Sequence, residues 1–205
     1  MKGKNRKPGF LIIVSIIIYI FLWAPVVILI LFSFSSHKFG VKWEHFTLMW
    51  YSEFFSNTAV KDALMLSLIV SSITVVVATG LGAVTAYGLY KFRFRGREIL
   101  RTSVLLPIIL PYVVTGASLL VFFTRLIRVH LGLPTILIAH ITFSTPLAVF
   151  VILGRMQRIN WSWEEAAMDL GATRFVAFYK IVAPLMLPAI AASAMLIFPW
   201  SFDDF

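Results

Sequence analysis

The run Phe10-Leu11-Ile12-Ile13-Val14-Ser15-Ile16-Ile17-Ile18-Tyr19-Ile20-Phe21-Leu22-Trp23-Ala24-Pro25-Val26-Val27-Ile28-Leu29-Ile30-Leu31-Phe32-Ser33-Phe34 contains no charged residue. A helix needs roughly 20 apolar residues, at ~1.5 Å of rise each, to cross the hydrocarbon of a bilayer. This stretch exceeds that length. The basic opening Lys2, Lys4, Arg6, Lys7 before it has the look of a signal peptide. The run is nonetheless far longer than a signal core, and no small-residue cleavage site follows it. It is read as a retained first span.

Working outward, four more segments have the length to cross: about 63–90, 102–124, 135–154 and 181–202. Of the 205 residues, 60% are hydrophobic and only 13% charged, with a mean hydropathy of +0.92. Soluble domains average nearer 45–50% apolar and about 25% charged, so lipid tails must cover the excess. The expected fold class is an all-α membrane protein, a multi-span helical bundle. Residues 1–9 form a terminal segment and 10–205 the transmembrane domain. Pro25 in the first span, and Pro107 and Pro111 in the third, are expected as kinks, because neighbouring helices re-satisfy freed carbonyls. The chain has no cysteine, which excludes disulfides and thiolate metal sites.

Net charge is +9, but the basic residues sit in short clusters between apolar runs, which argues against nucleic acid. Lys2, Lys4, Arg6 and Lys7, then Lys91, Arg93, Arg95, Arg97 and Arg101, then Arg155, Arg158, Arg174 and Lys180 all fall on one face of a five-span chain. That face holds thirteen of the 18 Lys and Arg residues. By the positive-inside rule it is cytoplasmic, and so is the N-terminus. The 35–62 loop, with Trp43, Trp50 and Tyr51, then lies outside at the interface. In the second span Ala78, Gly82 and Ala86 recur every four residues, giving a nearly flat face for close helix packing.

Between the last two spans lies a loop at 155–180 containing Ser162-Trp163-Glu164-Glu165-Ala166-Ala167-Met168-Asp169-Leu170-Gly171-Ala172-Thr173. Ser162 and Glu165 have the spacing of a capping box. Gly171 suits the left-handed conformation that ends a helix, and Thr173 suits the cap of the next. The prediction is a rigid helix–Gly–helix elbow. Glu164, Glu165 and Asp169 are expected on its exposed face, with Trp161, Trp163, Met168 and Leu170 available for burial. Docking into a groove of a soluble partner fits this shape. A helix lying on the headgroups is the plainer alternative, although acidic residues fit poorly against an anionic leaflet.

Glu165-Ala166-Ala167, then Gly171, Ile181 and Pro184, resembles the EAA loop of binding-protein-dependent ABC importers, E-A-A-x3-G-x9-I-x-L-P. The departure is Ala183, where Leu is usual. Phe34-Ser35-Ser36 with Phe39-Gly40, Tyr90-Lys91-Phe92-Arg93-Phe94-Arg95-Gly96, His140-Ile141-Thr142-Phe143 and Ser201-Phe202-Asp203-Asp204-Phe205 are similar to the spermidine/putrescine branch of that family. The resemblance implies the type I importer (MetI-like) permease fold, with six spans where five are read here, so the chain is expected to be cut short of a sixth. It implies a multi-pass subunit of a bacterial inner membrane. Its partners would be ATP-binding cassette subunits, a second permease and an extracytoplasmic substrate-binding protein. ATP and Mg would sit on the ATPase, leaving this chain without a cofactor of its own. By residue-level carry-over, Glu165, Ala166, Ala167 and Gly171 are the ATPase-contacting positions.

Asp203 and Asp204 follow the last apolar run, about 28 Å along a helix from Pro184. Carboxylates at membrane depth are costly unless they face water, a partner or a cation. A polyamine supplies ammonium groups for charge-assisted hydrogen bonds, and Trp200, Phe202 and Phe205 can add cation–π contacts. Alternatively, Pro199 ends the helix and both carboxylates are solvated loop residues. Other solutes, thiamine or iron among them, remain open, since such a pair is no fingerprint for polyamines. His37, His130 and His140 lack a second ligand at metal spacing and are read as hydrogen-bonding residues. No G-x-x-x-x-G-K-[ST] sequence is present, so ATP phosphates have no P-loop here. A membrane-embedded enzyme would need a catalytic constellation that the sequence does not supply. A passive channel would leave the elbow without a reason.

Overall fold

A computed structural model describes residues 8–38, 40 and 42–204. The basic N-terminal cluster, Phe39 and Phe205 lie outside them. The chain divides into two units, Met1–Asp62 and Ala63–Phe205.

In the first unit, helix α1 (Pro8–Phe32) continues through Pro25. None of its apolar stretch is buried within this unit, and a helix that is apolar on every face is one that lipid or a neighbouring helix must cover. The chain then turns back on itself through one bridge between Ser35 and Phe46. Helix α2 (Met49–Ser56) follows. Trp50 donates its indole N–H to the Ser35 carbonyl at 2.8 Å, and Phe34 stacks on Phe46 with ring centroids 5.5 Å apart. Asn57 caps the next helix by accepting from the Ala59 N–H at 3.0 Å.

The second unit is built on α3 (Thr58–Lys91), α6 (Leu133–Met156) and a long run, Arg174–Asp203, each long and apolar enough to span. α6 packs against that last run, and Ala148, Val149, Ile152, Met186 and Ile197 form the buried centre. On α3 the small-residue stripe faces inward, with Ala78, Gly82 and Ala86 all buried. A Cβ placed at Gly82 would overlap the Ala148 Cβ and lie 3.2 Å from the Ala148 carbonyl carbon and the Val149 nitrogen. Gly82 is therefore required by close approach. Gly82→Ala should destabilise the bundle by about 1–3 kcal/mol, read as a lower melting temperature in detergent. Adding Ala148→Gly should recover part of the loss, since one of the three contacts disappears. Additive effects of the two substitutions would refute the assignment.

The third expected span is not a kinked helix. It is two pieces, α4 with its 3₁₀ extension (Arg97–Ile108) and α5 with a terminal π segment (Tyr112–Ile127), bent by 102°. Pro111 stands at the break. It has no N–H to donate and holds an extended ψ of 123°, and a proline also disfavours helical backbone at the residue before it. Pro146, Pro188 and Pro199, by contrast, stay inside continuous helices.

Candidate functional site

The elbow forms between the two best-packed helices. α6 ends at Met156, and α7 (Ser162–Asp169) begins after a short turn. The expected capping box is absent. The helix starts one residue earlier than that motif requires, so Ser162 is its first residue and Trp161 stands at the cap. Asn160 does the capping instead, with Oδ1 accepting from the Ser162 N–H at 3.2 Å and from its hydroxyl at 2.8 Å.

The far end of α7 closes as a Schellman motif. Gly171 holds φ +89°. Its N–H donates to the Met168 carbonyl at 2.9 Å, and the Ala172 N–H donates to Ala167 at 3.0 Å. These two bonds satisfy carbonyls that a helix end otherwise leaves open. Thr173 then caps α8 (Arg174–Ala177) by accepting from the Val176 N–H at 3.4 Å. A π segment, Phe178–Val182, joins α8 to α9 (Ala183–Asp203). Pro184 has no N–H for the Lys180 carbonyl, which removes the α-helical bond where the register widens.

Burial within the elbow reverses part of the expectation. Glu164 is only 3% exposed, and its Oε2 accepts from Lys91 Nζ at 2.6 Å. A carboxylate loses hydration when buried and holds its charge only with a partner, here one 73 positions earlier in the chain. The same ammonium sits 5.2 Å from the Trp161 ring centroid. Tyr90 stacks on that ring at 4.9 Å, and Tyr87 meets Phe178 edge-on at 4.8 Å. The end of α3 is therefore clasped to both halves of the elbow. Trp163 and Leu170, expected inside, are 53% and 89% exposed, with Phe175 at 76% and Tyr179 at 69%. Glu165, Ala166, Asp169 and Gly171 share that open surface, and Ala167 is half-buried. An exposed apolar surface edged with acids is of the kind that a partner protein or a membrane surface covers.

At the opposite end of α9, Pro199 does not stop the helix, which runs to Asp203. Asp203, Asp204, Trp200, Phe202, Pro199, Leu196 and Tyr112 line an open pocket of about 580 Å³. Both carboxylates are exposed. Tyr112 arrives from the N-terminus of α5 only because of the bend at Pro111, and no local sequence signal links it to the pair. Behind the pocket, His140 Nδ1 lies 2.8 Å from the buried Ser201 hydroxyl, a hydrogen bond that ties α6 to α9.

Comparison with known proteins gives a consistent answer. Residues 78–205 match the family model described as the binding-protein-dependent transport system inner membrane component. The spermidine/putrescine transport system permease protein PotC of Escherichia coli strain K12 is 37% identical over 204 residues, covering 100% of this chain and 75% of that protein. The putrescine transport system permease protein PotI of the same strain is 36% identical over 199 residues, covering 94% of this chain and 71% of that protein. A crystal structure of a bacterial ABC transporter that imports the acidic polysaccharide alginate superposes with a TM-score of 0.73 at 17% identity, covering 95% of this chain and 73% of that one. The last likeness concerns the fold alone. With its helical spans, its elbow and these relatives, the chain belongs to the binding-protein-dependent inner-membrane permeases of ABC importers.

Proposed function

We propose that this permease forms one wall of an import pathway for small organic polycations of the polyamine class, putrescine or spermidine. One observation carries the reading: two carboxylates, Asp203 and Asp204, open into a pocket faced by Tyr112, Trp200 and Phe202. Two negative charges among aromatic faces suit alkylammonium groups, through charge-assisted hydrogen bonds and cation–π attraction. The names of the relatives point the same way. The fold itself does not choose the cargo, since a superposable transporter carries a polyanion. The choice must therefore rest on side chains. Asp203, Asp204 and Trp200 are the proposed contacts.

In this reading a second permease subunit completes the pathway, and an extracytoplasmic binding protein delivers the solute. ATP and Mg are held by separate cassette subunits, which seat against Glu165, Ala166, Ala167 and Gly171 beside the exposed Trp163 and Leu170. The N-terminus is cytoplasmic, as the clustering of Lys and Arg favours. ATP acts by preferring one permease conformation, because a ligand shifts an equilibrium only through differential affinity.

Uptake of labelled putrescine and spermidine tests the reading. Each exposed carboxylate is assigned about 1–2 kcal/mol of the interaction with substrate, below the usual value for a buried charged hydrogen bond. Asp203→Asn and Asp204→Asn should each lower uptake roughly five- to thirtyfold with unchanged amounts of protein in the membrane. Undiminished uptake in both variants would remove the pair from the pathway.

A further inference from the structure

We propose that Lys91, Arg93 and Arg97 form a binding site for the phosphate group of an anionic phospholipid, in the leaflet on the elbow's side of the membrane. These three cations, with Tyr90 and Trp161, wall a cavity of about 370 Å³. Arg97 is fixed there because its Nε donates to the Leu89 carbonyl at 2.6 Å. Glu164 engages Lys91 alone, and the nearby Glu98 pairs with Arg101 at 3.8 Å. Glu164 already balances Lys91, so the guanidiniums of Arg93 and Arg97 are the cavity charges left without an acidic partner among the described residues. Charge complementarity therefore calls for a multi-oxygen anion, and phosphate suits guanidinium groups geometrically.

The setting selects a lipid over a soluble anion. Lys91 is the last residue of the 34-residue helix α3, which at ~1.5 Å per residue is longer than the hydrocarbon is thick, so its basic end suits the headgroup layer. Gly96, at φ +88°, turns the chain into α4. Along this corner cations alternate with exposed apolar side chains. Phe92, Phe94, Ile99 and Leu100 are all exposed, next to Arg93, Arg95 and Arg97. Rings and guanidiniums in one thin layer are jointly solvated only at the headgroup boundary, where apolar stems insert and charged tips meet phosphates. Basic pockets at helix ends on the cytoplasmic side hold lipid headgroups for this reason. Lys91 and Trp161 belong to the clasp as well as to this cavity, so an occupied site would press directly against the elbow.

The proposal rests on the preceding reading only for the choice of leaflet. The complete importer is purified and placed in nanodiscs of phosphatidylcholine alone or mixed with phosphatidylglycerol. Retained lipid is counted by native mass spectrometry, and Tm is recorded. Phosphatidylglycerol should raise Tm of the wild type and remain bound through purification. Arg93→Gln should weaken retention about fivefold, while Arg93→Lys and Arg95→Gln, the latter outside the cavity, should each do so distinctly less. Equal retention in all variants, equal losses for Arg95→Gln and Arg93→Gln, or the same Tm gain from inorganic phosphate in phosphatidylcholine discs would each overturn it. The chain has no cysteine, so Arg95→Cys can be labelled with an impermeant thiol reagent. Labelling only from outside would refute the cytoplasmic orientation while leaving the lipid counts intact.

Discussion

Lys91→Met should reduce transport by at least about tenfold, with far less change in the amount of permease in the membrane. The substitution keeps the aliphatic stem and removes the ammonium that Glu164 needs at 2.6 Å. Glu164, at 3% exposure, would then be a buried carboxylate without a counter-charge. Breaking a fully buried pair costs about 3–5 kcal/mol. The Lys91 side chain is 33% exposed, so water screens part of the interaction, and about 2 kcal/mol is the reasonable figure. That is enough to shift a conformational equilibrium more than tenfold. Glu164→Gln should be milder, because the orphaned partner is then Lys91, which can turn to solvent.

The clasp joins the end of α3 to α7, the helix proposed to seat the ATPase, so the loss should appear as uncoupling. ATP hydrolysis should continue with less solute moved per turnover. The exchange Lys91→Glu with Glu164→Lys restores the ion pair but loses the ammonium over Trp161 at 5.2 Å. It should recover transport in part. A double-mutant cycle with no interaction energy would show that the two side chains act independently, and the mechanical role would be lost.

The helical bundle was legible because lipid imposes a length requirement that the apolar runs meet visibly. The Gly171 end of the elbow was legible because a Schellman closure is local and glycine marks it. The 102° bend was not. Pro107 and Pro111 are four residues apart, but so are Pro184 and Pro188, which remain in a helical run with only a π segment before them. Proline removes the same donor in each case, and the surrounding helices decide whether the chain turns. Tyr112 was missed with the bend, since only the turn brings it to Asp203 and Asp204. The charge pattern of α7 misled for a related reason. Glu164 looks like a solvated acid until Lys91 arrives from 73 residues away, and Asn160 takes the capping role that the Ser162–Glu165 spacing suggested. Trp163 and Leu170 look like core residues, yet they lie on the open surface. Hydrophobicity says that a side chain will be covered, but not whether its own chain or another supplies the cover.

Gly171→Val should abolish coupling, whereas Gly171→Asn should retain most of it. No atom outside the local backbone lies within 4 Å of a Cβ built at Gly171, so crowding within this chain cannot explain a requirement for glycine. The backbone can. At φ +89° an L-residue places its Cβ against the carbonyl oxygen, at about 1–2 kcal/mol, and a β-branched side chain is worse. Asparagine tolerates this region best among the other residues. Valine would be relieved by unwinding the last turn of α7, breaking the bonds from Gly171 to Met168 and from Ala172 to Ala167. The exposed Leu170 would turn with it, and the angle between α7 and α8 would no longer be fixed. A lever that bends under load transmits no displacement. The expected result is a permease that reaches the membrane normally but co-purifies poorly with an ATPase and transports at background. If Asn fails as completely as Val, the bare backbone must itself be the surface that the partner touches, and backbone strain is not the cause. If Val transports normally, the elbow has no need of a rigid hinge.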